Sequence, residues 1–180
     1  MKSIALFGGS FDPPHIGHET IVKEALKLDD VEKVVVMPTF LNPFKSSSHA
    51  DSELRLKWLK DIFFNFNNVE INSYEVDLKR KVSTIESVKH LLKKYKNIYL
   101  IIGADNLDSL SKWDNYEDLK KLVTFVIATR DDIVIPSNFL QLKVEDDISS
   151  TILRAHIIDD KLSSICATEI IKFYKDKNEK

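Results

Sequence analysis

The chain has 180 residues, a length that fits one domain hiding roughly two-thirds of its unfolded surface, and its 43% hydrophobic and 30% charged content excludes a disordered polymer. With 26 Lys and Arg against 28 Asp and Glu, the formal net charge is −2, so no broad attraction to nucleic acid or to an anionic membrane is expected, and any anion must be gripped locally. The single cysteine, Cys166, excludes an intramolecular disulfide, and no apolar run nears the ~20 residues that span a bilayer.

Taken in chain order, residues 3–7 read as a buried strand, because Gly8-Gly9 interrupts the apolar run before it reaches the ~7–15 residues of a signal-peptide core. A cytoplasmic location follows as the expectation. Residues 18–28 carry Ile21, Val22, Ala25, Leu26 and Leu28 at helical spacing, and residues 33–37 form a second β-branched run. Residues 52–64 repeat the helical pattern with Leu54, Trp58, Leu59, Ile62 and Phe63, which assigns Trp58 to the core. A strand over 69–71, a helix over 83–95, and strands over 98–102 and 123–128 follow. A further strand over 139–144 leads to Ser149, Ser150 and Thr151, which are suited to cap a helix running to residue 157. A last helix over 163–174 should hold Cys166 as a buried thiol and end in a fraying tail from Lys175.

Strands that are continuously apolar, alternating with amphipathic helices, predict an α/β fold: a doubly wound, Rossmann-like parallel sheet with helices on both faces, spanning 1–180 as one domain. In such sheets ligands bind beyond the carboxyl ends of the strands. The stretch Gly8-Gly9-Ser10-Phe11-Asp12-Pro13-Pro14-His15-Ile16-Gly17-His18 falls at such a strand end. Its small residues permit close approach of backbone and ligand, and the helix that follows offers N–H groups and a positive dipole end to a phosphate. It has neither the P-loop pattern nor the G-x-G-x-x-G fingerprint. His15 and His18, three apart across a helix start, can turn both imidazoles to one anion. Other readings are a turn cap plus a surface histidine, or a metal cluster of Asp12, His15 and His18, which lacks a further ligand at usual spacing. Downstream, the hydroxyls of Ile148-Ser149-Ser150-Thr151-Ile152-Leu153-Arg154 at a helix start, with Arg154 a turn along, can also hold phosphate oxygens, or be an ordinary capped helix.

Residues 9–18 resemble the G-[ST]-F-D-P-x-H-x-G-H signature of the nucleotidylyltransferase superfamily, and residues 148–154 resemble its I-S-S-T-x-x-R signature. Three more segments resemble the bacterial nicotinate-nucleotide adenylyltransferases: Gly103-Ala104-Asp105 with Leu107, Leu110 and Trp113; Ser83-Thr84-Ile85-Glu86; and the post-strand segment Pro38 to Lys45, where Phe44 replaces the usual His and Asn42 the first Pro of the family pattern. The resemblance implies an in-line transfer of AMP from ATP to nicotinate mononucleotide, with pyrophosphate released, ATP carrying Mg2+, and no nucleic-acid or membrane partner. Association into a homo-oligomer is left open.

The resemblance also implies the roles. His18 serves the α-phosphoryl oxygens, His15 the ATP phosphates, and Ser150, Thr151 and Arg154 the leaving pyrophosphate. Gly8, Gly9, Ser10, Phe11, Gly103 and Asp105 complete the ATP site, while Asn42, Lys45, Thr84, Trp113 and Arg130 hold the mononucleotide. Trp113 lies in a polar stretch, where an exposed indole suits stacking on a pyridine ring. Thr84 reads equally as an ordinary first-turn residue and Arg130 as a surface ion pair. Two rival functions share the motifs: a phosphopantetheine adenylyltransferase and a non-catalytic nucleotide sensor. An aminoacyl-tRNA synthetase is disfavoured by length and by the lack of K-M-S-K-S.

Overall fold

A strand buried on both sides must be apolar at every position, and β1 (Ser3–Gly9) shows why its residues run without alternation. Ala5 and Phe7 point into one core cluster, Ile4 and Leu6 into the other. The same division holds for β2 (Lys33–Pro38), where Val34 and Val36 face one way and Val35 and Met37 the other. With β3 (Val69–Ile71), β4 (Asn97–Gly103), β5 (Thr124–Ala128) and β6 (Leu140–Leu142), these strands form one parallel sheet in the order β3-β2-β1-β4-β5-β6. The computed structural model describes residues 2–129, 133–144 and 148–178.

One face is covered by α1 (Ile16–Ala25), α2 (Ser52–Phe63), α6 (Ser150–Ala155) and α7 (Ala167–Asn178), which contribute Val22, Trp58, Leu153 and Ile170 to the first cluster. The other is covered by α4 (Thr84–Leu91) and α5 (Tyr116–Leu122), which contribute Ile85, Val88 and Leu119 to the second. The doubly wound expectation therefore holds, with helices on both faces. A short α3 (Tyr74–Asp77) lies beside β2 and packs near α2. No helix among the described residues is long and apolar enough to cross a membrane.

The element boundaries differ from expectation where local physics intervenes. α1 begins at Ile16 rather than at residue 18, because extended His15 caps it, and α4 stops at Leu91 rather than at residue 95. The stretch Ala104–Lys112 is a 3-10 helix, in which Leu107 and Leu110 eclipse at a spacing of three, a pattern too short to read as an α-helix. α5 has a single buried residue, Leu119, and so carries little periodic signal. The tail expected to fray from Lys175 instead stays helical to Asn178, where Lys177 donates to the His49 carbonyl.

Trp58 is fully buried, and Cys166 donates its thiol to the Trp58 carbonyl at 3.8 Å, with burial pushing that thiol's pKa up to about 11. Replacing Trp58 with Ala is expected to cost about 3–5 kcal/mol of stability, measured as a lower urea midpoint. An unchanged midpoint would contradict its place in the core.

Candidate active site

The sheet's winding reverses between β1 and β4, and a cleft of about 720 Å³ opens over the carboxyl edge there. Backbone at Gly8, Gly9, Ser10 and Gly103 forms its floor. A Cβ at Gly103 would meet the Asp105 carboxylate, which folds back over the strand end, so a larger residue there would displace that side chain.

At the start of α1 the two histidines hold each other. The His15 N–H donates to His18 Nδ1 at 3.1 Å, the His18 N–H donates to the His15 carbonyl at 2.9 Å, and the rings stack with centroids 3.7 Å apart. Because Nδ1 of His18 accepts, a neutral ring carries its proton on Nε2, the nitrogen able to donate to a ligand. A Cβ at Gly17 would lie 3.1 Å from His15 Nδ1, so a side chain there would press on the His15 ring of this stack. Phe11, at φ 49 in the left-handed region, turns its ring beneath His18 with centroids 4.8 Å apart and against Phe7 at 5.3 Å. Phe11 thus offers the cleft little but its backbone, its side chain being a buried support.

The loop between β1 and α1 is clamped from below. The buried Asp12 carboxylate accepts from the His49 N–H at 2.7 Å, from the Ala50 N–H at 2.9 Å and from the Tyr174 hydroxyl. Arg55, fully buried, donates to the carbonyls of Ala50, Ser10 and Phe40 at 3.1, 2.6 and 2.8 Å. Burial alone would push Asp12 upward, but the Tyr174 hydroxyl, the two amides and the Arg55 charge outweigh it and hold the carboxyl below its usual range. Burial and the Asp12 charge push Tyr174 far upward, so it stays a donor.

α6 reaches the same loop. Arg154 donates to the Asp12 carbonyl at 2.5 Å and to Thr151 Oγ1 at 3.0 Å, and Ser150 Oγ donates to the Pro13 carbonyl at 2.8 Å. Ser149, not Ser150, is the N-cap of α6. The Ser150 hydroxyl proton, expected on a phosphate, is turned to the loop. The two motifs nonetheless converge: His15, His18, Ser150, Thr151 and Arg154 all border one cleft.

The remaining expected residues lie at the far end. Asn42 Oδ1 accepts from the Phe44 N–H at 2.9 Å, so Asn42 shapes the turn that presents the exposed Lys45. Thr84 is the first residue of α4, and Asp105 and Trp113 stand opposite the β2 side. Trp113 is half-buried against the second core cluster, not exposed, because the 3-10 run folds it back. Arg130 lies outside the described residues. Sequence reasoning missed Thr39, Glu75 and Lys81 in the lining, and Arg55 and Tyr174 beneath it. Thr39, the residue after β2, could have been found from the strand-end rule. Among the described residues no group of three or more His, Cys, Asp or Glu could hold a metal.

Residues 6–156 match the family model described as cytidylyltransferase-like. The chain is 57% identical over 178 residues to a protein of Sulfurimonas denitrificans named "Probable nicotinate-nucleotide adenylyltransferase", covering 99% of this chain and 98% of that one. A protein of the same name from Nitratiruptor is 50% identical over 96% of this chain and 98% of its own. Among solved structures, nicotinic acid mononucleotide adenylyltransferase of Plasmodium falciparum complexed with NaAD superposes with a TM-score of 0.80 at 20% identity, over 97% of this chain and 98% of that one.

Tyr174→Phe removes one donor from a buried carboxylate and is expected to cost about 1.5–3 kcal/mol at neutral pH. Asp12 is depressed in the folded state, so its contribution is present above the ordinary carboxylate pKa of 3.8 and is lost as pH falls through the lower folded value. The difference between parent and variant should therefore shrink below about pH 4 in urea titrations run across pH. A gap that is constant down to pH 2 would contradict the link to Asp12.

Proposed function

The chain belongs to the nicotinate-nucleotide adenylyltransferases within the cytidylyltransferase-like family, and from that premise we propose how its cleft transfers AMP from ATP to nicotinate mononucleotide, giving nicotinic acid adenine dinucleotide and pyrophosphate for NAD biosynthesis. The phosphate of the mononucleotide is already an anionic nucleophile near neutral pH, so no side chain has to remove a proton. It attacks the α-phosphorus in line with the departing pyrophosphate. Catalysis then rests on positioning and on stabilising charge as it builds.

His18 donates from Nε2 to an α-phosphoryl oxygen, and His15, stacked on it, holds the triphosphate beside the α1 N-terminus. Thr151 and the forked guanidinium of Arg154 receive the β,γ end. Ser150 acts by fixing Pro13 through its hydroxyl. The observation that carries the reading is that Arg154 bonds the carbonyl of Asp12, three residues before His15, so the two phosphate grips share one loop. Gly8, Gly9, Ser10, Gly103 and Asp105 frame the nucleoside.

Lys45, presented by the Asn42 turn, holds the mononucleotide phosphate, with Phe44 where the family pattern that this segment resembles has a histidine. Thr84 and the first turn of α4 take the nicotinate carboxylate, and Trp113 stacks on the pyridine. Arg130 is a further candidate there. A divalent cation accompanies ATP in enzymes of this class, and the reading here is Mg2+ carried in as the ATP complex, since that ion keeps its water and needs few protein ligands. On this reading the chain acts as one domain, supported by the single sheet that both core clusters share, and its location is cytoplasmic.

Pyrophosphate release from ATP is expected to depend on added nicotinate mononucleotide, with phosphopantetheine inert in parallel assays. ATP binding without release, or a preference for phosphopantetheine, would overturn the function. His18→Ala should lower kcat roughly 100- to 1000-fold. A folded variant within tenfold of the parent contradicts its role. Trp113→Ala should raise the KM for the mononucleotide about two- to tenfold and leave the KM for ATP unchanged, whereas an equal rise in both would remove the stacking assignment.

A further inference from the structure

The far end of the cleft holds a buried ionisable side chain that the transfer does not use. Glu75, on α3, is 5% exposed, and its Oε1 accepts from Ser87 Oγ at 2.6 Å. Its Oε2 is buried with no hydrogen-bond partner. Ser87 lies three residues beyond Thr84, so the two share one face of α4 a single turn apart, and Glu75, Thr84, Ser87 and Trp113 line the cleft together. The Trp113 indole N–H and the Thr39 hydroxyl are likewise buried there without partners. Glu75 thus keeps an unmet carboxylate oxygen on a residue that lines the cleft, as do Thr39 and Trp113 their polar atoms.

The surroundings do not compensate a charge on Glu75. Glu86 of α4 adds a like charge and is itself paired with Arg80, while Tyr74 hydrogen-bonds Glu86 and stacks on His90. Asp77 is bonded by Ser73, and Lys81 donates to the Pro43 carbonyl. α2 brings Arg55, whose donors go to three carbonyls, and β2 brings no ionisable side chain at its buried positions. Across the cleft stand Asp105 and Asp114, with Lys45 on the exposed rim. Burial pushes Glu75 up to about 7 against the opposing hydrogen bond from Ser87.

We propose that Glu75 selects between the acid and amide forms of the pyridine mononucleotide: neutral, it tolerates the nicotinate carboxylate beside Thr84, and ionised, it repels it, while an uncharged carboxamide, which can donate to either form, is not repelled. The proposal rests on the pyridine occupying the Thr84 and Trp113 end. Preference for the acid is then highest in mildly acidic solution and falls as pH rises through the range where Glu75 ionises. By linkage, the acid substrate must in turn draw a proton onto Glu75 when it binds.

The test is kcat/KM for nicotinate and nicotinamide mononucleotides, at saturating ATP, from pH 6 to 8.5 in the parent and in Glu75→Gln. Both substrates carry the same phosphate, so their ratio cancels its titration. The parent's acid-to-amide ratio is expected to fall about tenfold across the range, roughly 1.4 kcal/mol, and the ratio in the variant to stay flat near the parent's acidic value. Should the variant fold poorly, titration calorimetry on the parent at pH 8 in two buffers of different ionisation heat decides, with proton uptake expected for the acid and not for the amide. A flat ratio in the parent, the same fall in both proteins, or equal proton uptake for both substrates overturns the proposal alone. No turnover with either mononucleotide overturns the reading of the site, and the proposal with it.

Discussion

A single buried carboxylate organises the site. Asp12 sits where β1 gives way to α1, and its two oxygens accept from residues 49 and 50 and from Tyr174, more than a hundred residues away. A buried charge persists only when donors surround it, and leaving such a charge without a partner costs about 3–5 kcal/mol. That constraint holds the loop in one shape. The carbonyls of Ser10, Asp12 and Pro13 are then taken by Arg55, Arg154 and Ser150, so α2 and α6 are bound to the backbone that presents His15 and His18, while α7 reaches it through the Asp12 side chain. Positioning a loop from three helices is what a transfer reaction without a covalent intermediate requires, because its rate depends on how well the reacting groups are held.

The sheet decides where this assembly faces. With the order β3-β2-β1-β4-β5-β6, the chain winds outward in both directions from the β1 and β4 pair, and loops that follow those strands part to leave the cleft. The side bounded by α1 and α6 is rich in donors suited to a triphosphate. The side bounded by α4 and the 3-10 run combines an indole, a helix start and a buried carboxyl group. Two chemically different ends in one cleft fit a reaction that joins two nucleotides, and on the proposed reading the Thr84 and Trp113 end is where discrimination between similar acceptors arises.

Residues whose roles follow from local geometry were legible in the sequence. His15 and His18 stand at the start of the helix that follows β1, and Gly103 ends β4, positions where spacing and residue type carry the information. Arg55 was not legible, because on an amphipathic helix it reads as a surface cation, and only the fold reveals three carbonyls around it. Tyr174 reads in the sequence as one more residue on the apolar face of a helix, and its hydroxyl gains meaning only from Asp12. Glu75 lies on a helix of four residues, too short for a periodic signal. Ser150 was found as a candidate, but its bond to the Pro13 carbonyl was not legible, since nothing local shows that Pro13 lies within reach. The 3-10 run hid the half-buried setting of Trp113 for the same reason.

The central claim is that the imidazoles of α1 and the guanidinium of α6 act on one triphosphate, and a crystal structure with a non-hydrolysable ATP analogue and Mg2+ addresses it most directly. His18 Nε2 should lie about 3 Å from an α-phosphoryl oxygen, with Arg154 in reach of the β,γ end. A triphosphate bound so that His18 and Arg154 do not touch the same molecule would contradict it.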